Sequence, residues 1–282
     1  MKWLHRKKHL KEEYKLRSEN TFDINLELKS EKINAPIIID QNMHHVGKPI
    51  IELKNLTKSF GKLAQSKVVV KNLNLVFYEN ENVALLGSNG AGKTTTVEMI
   101  AGIIQPTSGL IKYNFEYKST FQEGIGIQFQ DSSYPPGIIV ADVIKFMVNV
   151  YGVDLNLLEL EQIVNAFGLK KLYKEKVHSL SGGQQQRLNI LLALIHKPKI
   201  VFLDELSTGL DISVRTEIIN FVKRYCEKFK IQIVLVSHNM DEVNEICDRI
   251  IIMQQGEIKV DLWTKDVIAK YNSVGELAKK YI

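Results

Sequence analysis

The sequence predicts an α/β protein built on a mainly parallel sheet. Three observations carry that prediction. Short apolar runs of strand length alternate with segments of helical period, a glycine-rich loop joins one such run to a helix, and a second run ends on two adjacent acids. A length of 282 residues allows one large domain or two modest ones. Hydrophobic residues at 45% and charged residues at 24% exclude a disordered or collagen-like chain. Two cysteines, Cys226 and Cys247, exclude a disulfide scaffold and a Cys-rich zinc site, and they fit a reducing compartment. No run reaches the roughly 18 apolar residues of a membrane span, and the basic N-terminus lacks the apolar region of a secretory signal.

The elements follow in order. Residues 1–48 read as a basic extension. Its first 17 residues hold seven Lys/Arg against two Glu, while the rest of the chain balances 30 of each sign. With the body neutral, the charge balance argues against a nucleic-acid-binding surface there, and no nucleic-acid partner is expected. Trp3, Leu10 and Tyr14 fit either a basic amphipathic helix on anionic lipid or a solvated tail. His44 and His45 lie in the same extension. From Ile50 the pattern tightens. Residues 50–60 alternate with period two, 67–78 form a second strand, and 83–87 form a short buried one. Asn80 stands in the turn between the last two, where positive φ is expected. A helix runs from Lys93 and stops before Pro106, and residues 110–130 hold further short strands. Two amphipathic helices, 140–152 and 157–168, each close on a glycine. After a Gly-Gly turn come a helix over 184–195, a buried strand over 199–203, a helix after Ser213, and strands over 232–237 and 249–254.

Gly87, Ser88, Asn89, Gly90, Ala91, Gly92, Lys93 and Thr94 fit the pattern G-x-x-x-x-G-K-[ST]. Small residues let the backbone wrap phosphates with several N–H groups turned inward, and the following helix adds its positive dipole end. Lys93 is placed to reach the β- and γ-phosphates and the Thr94 hydroxyl to ligate Mg²⁺, with Thr95 next in the cradle. The preceding buried strand and the following helix supply the frame this loop needs. A nucleotide and Mg²⁺ are the expected ligands.

Asp204 and Glu205 end the buried strand over 199–203, at the sheet edge where ligands of parallel α/β proteins lie. Alone the pair reads equally well as a cap on the next helix. Beside a phosphate loop, Asp204 suits Mg²⁺ held through its water shell, and Glu205 suits a general base for water. Leu180, Ser181, Gly182, Gly183 and Gln184 precede another helix and make a second anion-binding element.

With these motifs in this order, residues 50–282 resemble the ATP-binding cassette family, the ATPase subunits of ABC transporters. The resemblance implies a P-loop NTPase fold with a mainly parallel core sheet, an N-terminal antiparallel β subdomain and an inserted helical subdomain at about residues 131–178 of an ATPase domain spanning 49–282. It implies that Phe60 stacks on adenine, in place of the family's usual Tyr. Gln130, two residues beyond Gln128, is implied as the glutamine that touches Mg²⁺ or the lytic water. Residues 205–211 resemble the family's D-loop, with Leu206 where Pro is usual and Asp211 approaching a partner subunit's site. His238 matches the switch histidine that donates to the γ-phosphate and holds Glu205 and the water.

The resemblance further implies a head-to-tail dimer, as a homodimer or with a related ATPase, in which each ATP lies between the phosphate loop of one subunit and Ser181, Gly182, Gly183 and Gln184 of the other. Motion is then delivered to a separate transmembrane permease subunit, from a peripheral position on the cytoplasmic face of the cell membrane. Residues 92–109 and 236–258 look like the ABC-2-type exporter branch. The alternative is a non-transport single-cassette ATPase such as a cluster-assembly component.

Overall fold

The computed structural model describes residues 35–61, 66–128, 133–154, 156–207 and 210–282. Two sheets organise them. The larger has seven strands: β1 (Ile38–Ile39), β4 (Val83–Leu86), β6 (Ile125–Gln128), β7 (Ile200–Asp204), β8 (Gln232–Val236), β9 (Arg249–Gln254) and β10 (Glu257–Trp263). Their order is β1-β10-β9-β4-β8-β7-β6. Every pairing in it is parallel except that of β9 with β10. The smaller sheet is antiparallel, with β2 (Pro49–Phe60) between β3 (Lys67–Tyr78) and β5 (Ser108–Tyr113). The expected mainly parallel core and N-terminal antiparallel sheet are both present.

The central strands are apolar throughout because both faces are covered. Val83, Leu85, Phe202, Val234 and Ile251 pack toward the smaller sheet and helix α1 (Lys93–Ile100). Ala84, Leu86, Leu203, Leu235 and Ile252 point the other way. There they meet α4 (Gly182–Leu194) and α5 (Ile212–Phe229). Helix α1 is shorter than expected: Gly102, at φ 73°, turns the chain, and the N–H groups of Gly102 and Ile103 close back on Met99 and Glu98. Between β6 and α4 lie α2 (Val140–Val150) and α3 (Leu157–Ala166), the two predicted amphipathic helices. Asn80 has the expected positive φ, 61°.

The boundary at residue 48 is corrected. Residues 35–48 belong to the fold. Ile38 and Ile39 pair with Val260 and Asp261, and the Tyr281 hydroxyl donates to the Pro36 carbonyl at 2.7 Å. The reason is that β10 would otherwise end the sheet with open backbone groups, which β1 covers. His45 is structural. It stacks on Tyr78 at 3.9 Å, and its Nδ1 lies 2.7 Å from the Glu81 carboxylate. The segment through Trp3 and Tyr14, read as either a helix or a tail, lies outside the described residues. Strand β10 and the helices after it, α7 (Thr264–Tyr271) and α8 (Val274–Ala278), are additions the sequence reading does not contain.

Candidate functional site

The phosphate loop follows β4 and enters α1. Its backbone is supported from beneath. The Gly256 N–H donates to the Ala91 carbonyl at 3.0 Å, and the Lys71 N–H donates to the Gly256 carbonyl at 2.8 Å. A Cβ on Gly87 would lie 2.3 Å from the Met253 carbonyl oxygen, and one on Gly92 would lie 2.9 Å from that of Val69. Glycine is therefore required by close backbone approach, in addition to what phosphate would require. Gly90, by contrast, meets nothing within 4 Å, and with Asn89 it faces outward.

Lys93 is 8% exposed. Its ammonium donates to the carbonyls of Gly87 at 2.6 Å and Ser88 at 3.2 Å, so it spans the loop from inside. Burial lowers its pKa, while Asp204 and Glu205 hold it up. Asp204, at the end of β7, is held above the ordinary carboxylate range by burial first and by Glu205 second. Lys93 and His238 pull it the other way. Four of the predicted residues, from three separate motifs, thus share one electrostatic neighbourhood. Thr94, Gln128 and Asp204 also line one small void of about 10 Å³, room for about a single water. The rest of its lining is Val97, Ile127, Phe202 and Val236, and the space is too small for a hydrated ion. Yet the hydroxyl of Thr94, the amide of Gln128 and the carboxylate of Asp204 are oxygen donors of the kind Mg²⁺ accepts, so the chemistry of the donor set fits that ion. Gln130 itself lies outside the described residues.

Glu205 adopts φ 52°, a left-handed conformation costing a non-glycine residue about 1 kcal/mol or more. Its neighbours hold it there, and the Gln186 amide lies 3.4 Å from the Glu205 carbonyl. The Glu205 N–H donates to the Val236 carbonyl at 2.8 Å, and the Gln186 amide donates to the Leu206 carbonyl at 2.7 Å. Gln186 was missed in the sequence reading, and nothing local marks it. It stands one turn into α4, the helix that Ser181 caps. Ser181 and Gln184 form a reciprocal box in which the Gln184 N–H donates to Ser181 Oγ and the Ser181 N–H donates to Gln184 Oε1. Ser181 and Gly182 are exposed at that tip.

Asp211 precedes α5 and is exposed, and its side chain makes no cap bond. His238 is exposed just after β8. Phe60 ends β2 with 45% exposure, and the Lys58 ammonium lies 5.0 Å from its ring centroid. An apolar groove of about 730 Å³ opens between the core and α2. Ile103, Ile127, Ile138, Phe146, Met147 and Tyr151 are among its walls.

A family profile described as "ABC transporter" matches residues 70–208. The chain is 30% identical over 221 residues to the uncharacterised ABC transporter ATP-binding protein YdbJ of Bacillus subtilis, covering 77% of this chain and 70% of that one. It is 34% identical over 242 residues to the spermidine/putrescine import ATP-binding protein PotA of Spiroplasma citri, covering 80% and 68%. It is 32% identical over 215 residues to the linearmycin resistance ATP-binding protein LnrL of Bacillus subtilis, covering 74% and 68%. Among solved structures, the dimeric ATP-binding cassette MJ0796 bound to ADP and Pi aligns with a TM-score of 0.66 at 25% identity, over 76% of this chain and 98% of that one. With the phosphate loop, the acidic pair and the capped second loop all in place on this fold, the chain belongs to the ATP-binding cassette family, the ATP-hydrolysing, ATP-binding subunits of ABC transporters.

Proposed function

We propose that this chain hydrolyses ATP as one half of a head-to-tail dimer and drives export through a separate transmembrane subunit, from the cytoplasmic face of the membrane. The observation that carries the catalytic part is the convergence of Lys93, Asp204, Glu205 and His238 beside one phosphate loop. Lys93 exchanges its bonds to the loop carbonyls for the β- and γ-phosphates, and the loop's N–H groups take the remaining charge. Glu205, held in a fixed turn, accepts the proton of the attacking water. His238 donates to the γ-phosphate and keeps Glu205 and the water aligned. Phe60 stacks on the adenine. Thr94 and Asp204, with Gln130, would hold Mg²⁺, which when bound neutralises charge on the transferring phosphoryl group.

The exposed tip at Ser181, Gly182, Gly183 and Gln184 then serves the other subunit's nucleotide, with Asp211 at the same interface. That the solved MJ0796 cassette is a dimer bound to ADP and Pi supports this arrangement. Among the described residues no helix is long and apolar enough to cross a membrane. The apolar groove against α2 offers a seat for an element of a membrane partner. The direction rests on the likeness of residues 92–109 and 236–258 to exporters, since the matched relatives carry both import and resistance names.

Two variants test the reading. Glu205→Gln is expected to bind ATP and accumulate as a nucleotide-bound dimer on gel filtration with scattering; full turnover in that variant refutes the base. Lys93→Ala is expected to weaken ATP affinity itself, measured by calorimetry, and an unchanged Kd refutes the phosphate loop.

A further inference from the structure

Glu242 is a carboxylate that the mechanism above leaves unused, and it is 1% exposed. It lies on α6 (Met240–Ile246). Its Oε1 accepts the Ser207 hydroxyl, and its Oε2 accepts the Ser237 hydroxyl at 3.0 Å. Ser207 stands two residues after Glu205, and Ser237 immediately precedes His238. One buried side chain therefore grips both segments that carry the reacting groups. The Ser237 oxygen also accepts the Asn239 N–H at 2.9 Å, so its proton is committed to Glu242. Arg215 is the cation at hand. Its Nε lies 3.8 Å from Glu242 Oε1, and its Nη2 donates to Asn239 Oδ1 at 3.0 Å.

Stability alone does not explain such a group. Burying a carboxylate costs several kcal/mol, and a well-packed apolar residue is often as stable or more so. What the carboxylate provides is two acceptors at fixed separation, facing two hydroxyl donors. Burial raises the Glu242 pKa, Ser237 and Arg215 oppose the rise, and Glu205 adds to it.

We propose that Glu242 is a positioning residue that locks the Glu205 turn to the His238 loop through Ser207 and Ser237, and thereby sets the distance between base and switch. The proposal rests on the assignment of Glu205 and His238 made above. Ser207 and Ser237 reach the same helix because they follow the ends of the adjacent parallel strands β7 and β8, which finish side by side at Asp204 and Val236.

The test uses the full-length chain with Mg-ATP. Glu242→Gln is nearly isosteric but presents one acceptor where two are needed. Its kcat is expected to fall about 10- to 100-fold, as for other residues supporting a reactive group, with the Kd for a non-hydrolysable ATP analogue within about twofold. Ser207→Ala and Ser237→Ala should each lower kcat at unchanged Kd. Adding them to Glu242→Gln should cost much less than the sum of the separate losses. Glu242→Gln at the parental rate, beside an inactive Glu205→Gln, overturns the proposal alone. Full rate in Glu205→Gln overturns the base assignment and this proposal with it. Should Glu242→Gln fail to fold, the serine variants decide: folded and fully active, they refute the lock.

Discussion

His196 offers a prediction whose size follows from its surroundings. It follows the last turn of α4, its ring stacked on Tyr151 at 3.8 Å and 2°. Nε2 lies 3.0 Å from the Ile125 carbonyl, and the buried Nδ1 has no partner among the described residues. The imidazole thus donates from Nε2 and is held neutral, and burial lowers its pKa from 6.5 to about 4. The unfolded chain takes up this proton near pH 6.5 and the folded chain does so only near pH 4, so stability falls as pH drops between the two. That shift amounts to about 2 kcal/mol lost by pH 5 and about 3 kcal/mol by pH 4. His196→Gln keeps a donor for the Ile125 carbonyl and removes the titration. It gives up the ring stack, worth about 1 kcal/mol at every pH. Urea unfolding at about pH 7.5 and about pH 5 should therefore show the parent losing about 2 kcal/mol more than the variant over that interval. Parallel losses would refute the reasoning, because they would mean His196 is protonated in the fold or solvated there. The outcome bears on function, since Tyr151 and Ile125 both line the apolar groove.

Two further outcomes follow from the same kind of arithmetic. Arg249, 4% exposed, donates twice to Asp261 at 2.7 Å and reaches the Val76 carbonyl at 2.8 Å, joining the two sheets. Asp261→Asn leaves that guanidinium buried with a weakened partner and only Glu81, at 3.6 Å, as a carboxylate, and chemical denaturation should show a loss of about 2 kcal/mol or more. Ser181→Ala removes the cap of α4 at a cost of about 1 kcal/mol in unfolding free energy. If the tip serves the partner's nucleotide, turnover should collapse while ATP affinity of the dilute, monomeric chain stays unchanged by calorimetry; a matching drop in both would place Ser181 in its own subunit's site.

The parts of the site legible in sequence are those whose physics is local. A phosphate cradle needs contiguous small residues, a lysine and a following helix, so Gly87 to Thr94 announces itself. The acids at the end of β7 are legible because strand and charge adjoin. The hairpin from β9 to β10 had a readable signal too. Gln255 and Gly256, at φ 50° and 83°, make the two-residue left-handed turn that matches strand twist, although only the glycine advertises it. Strand β1 had none, because two residues cannot show a period and their pairing is dictated by an open edge more than 200 positions away.

The same distinction explains Gln186 and Glu242. Neither has a chemical task of its own, so neither belongs to a pattern of neighbouring residues. Gln186 holds a backbone carbonyl that the topology delivers from 20 positions off, and Glu242 joins a hydroxyl from 35 positions off to one only five positions away. Glu205 shows why such holders are needed. A motif names the base, but its left-handed φ is disfavoured for glutamate, and left to itself the turn would relax toward ordinary backbone. The reactive geometry is therefore a property of the closed fold. Substitutions at the holders should accordingly act on rate before they act on nucleotide affinity, which is the order that separates positioning from binding.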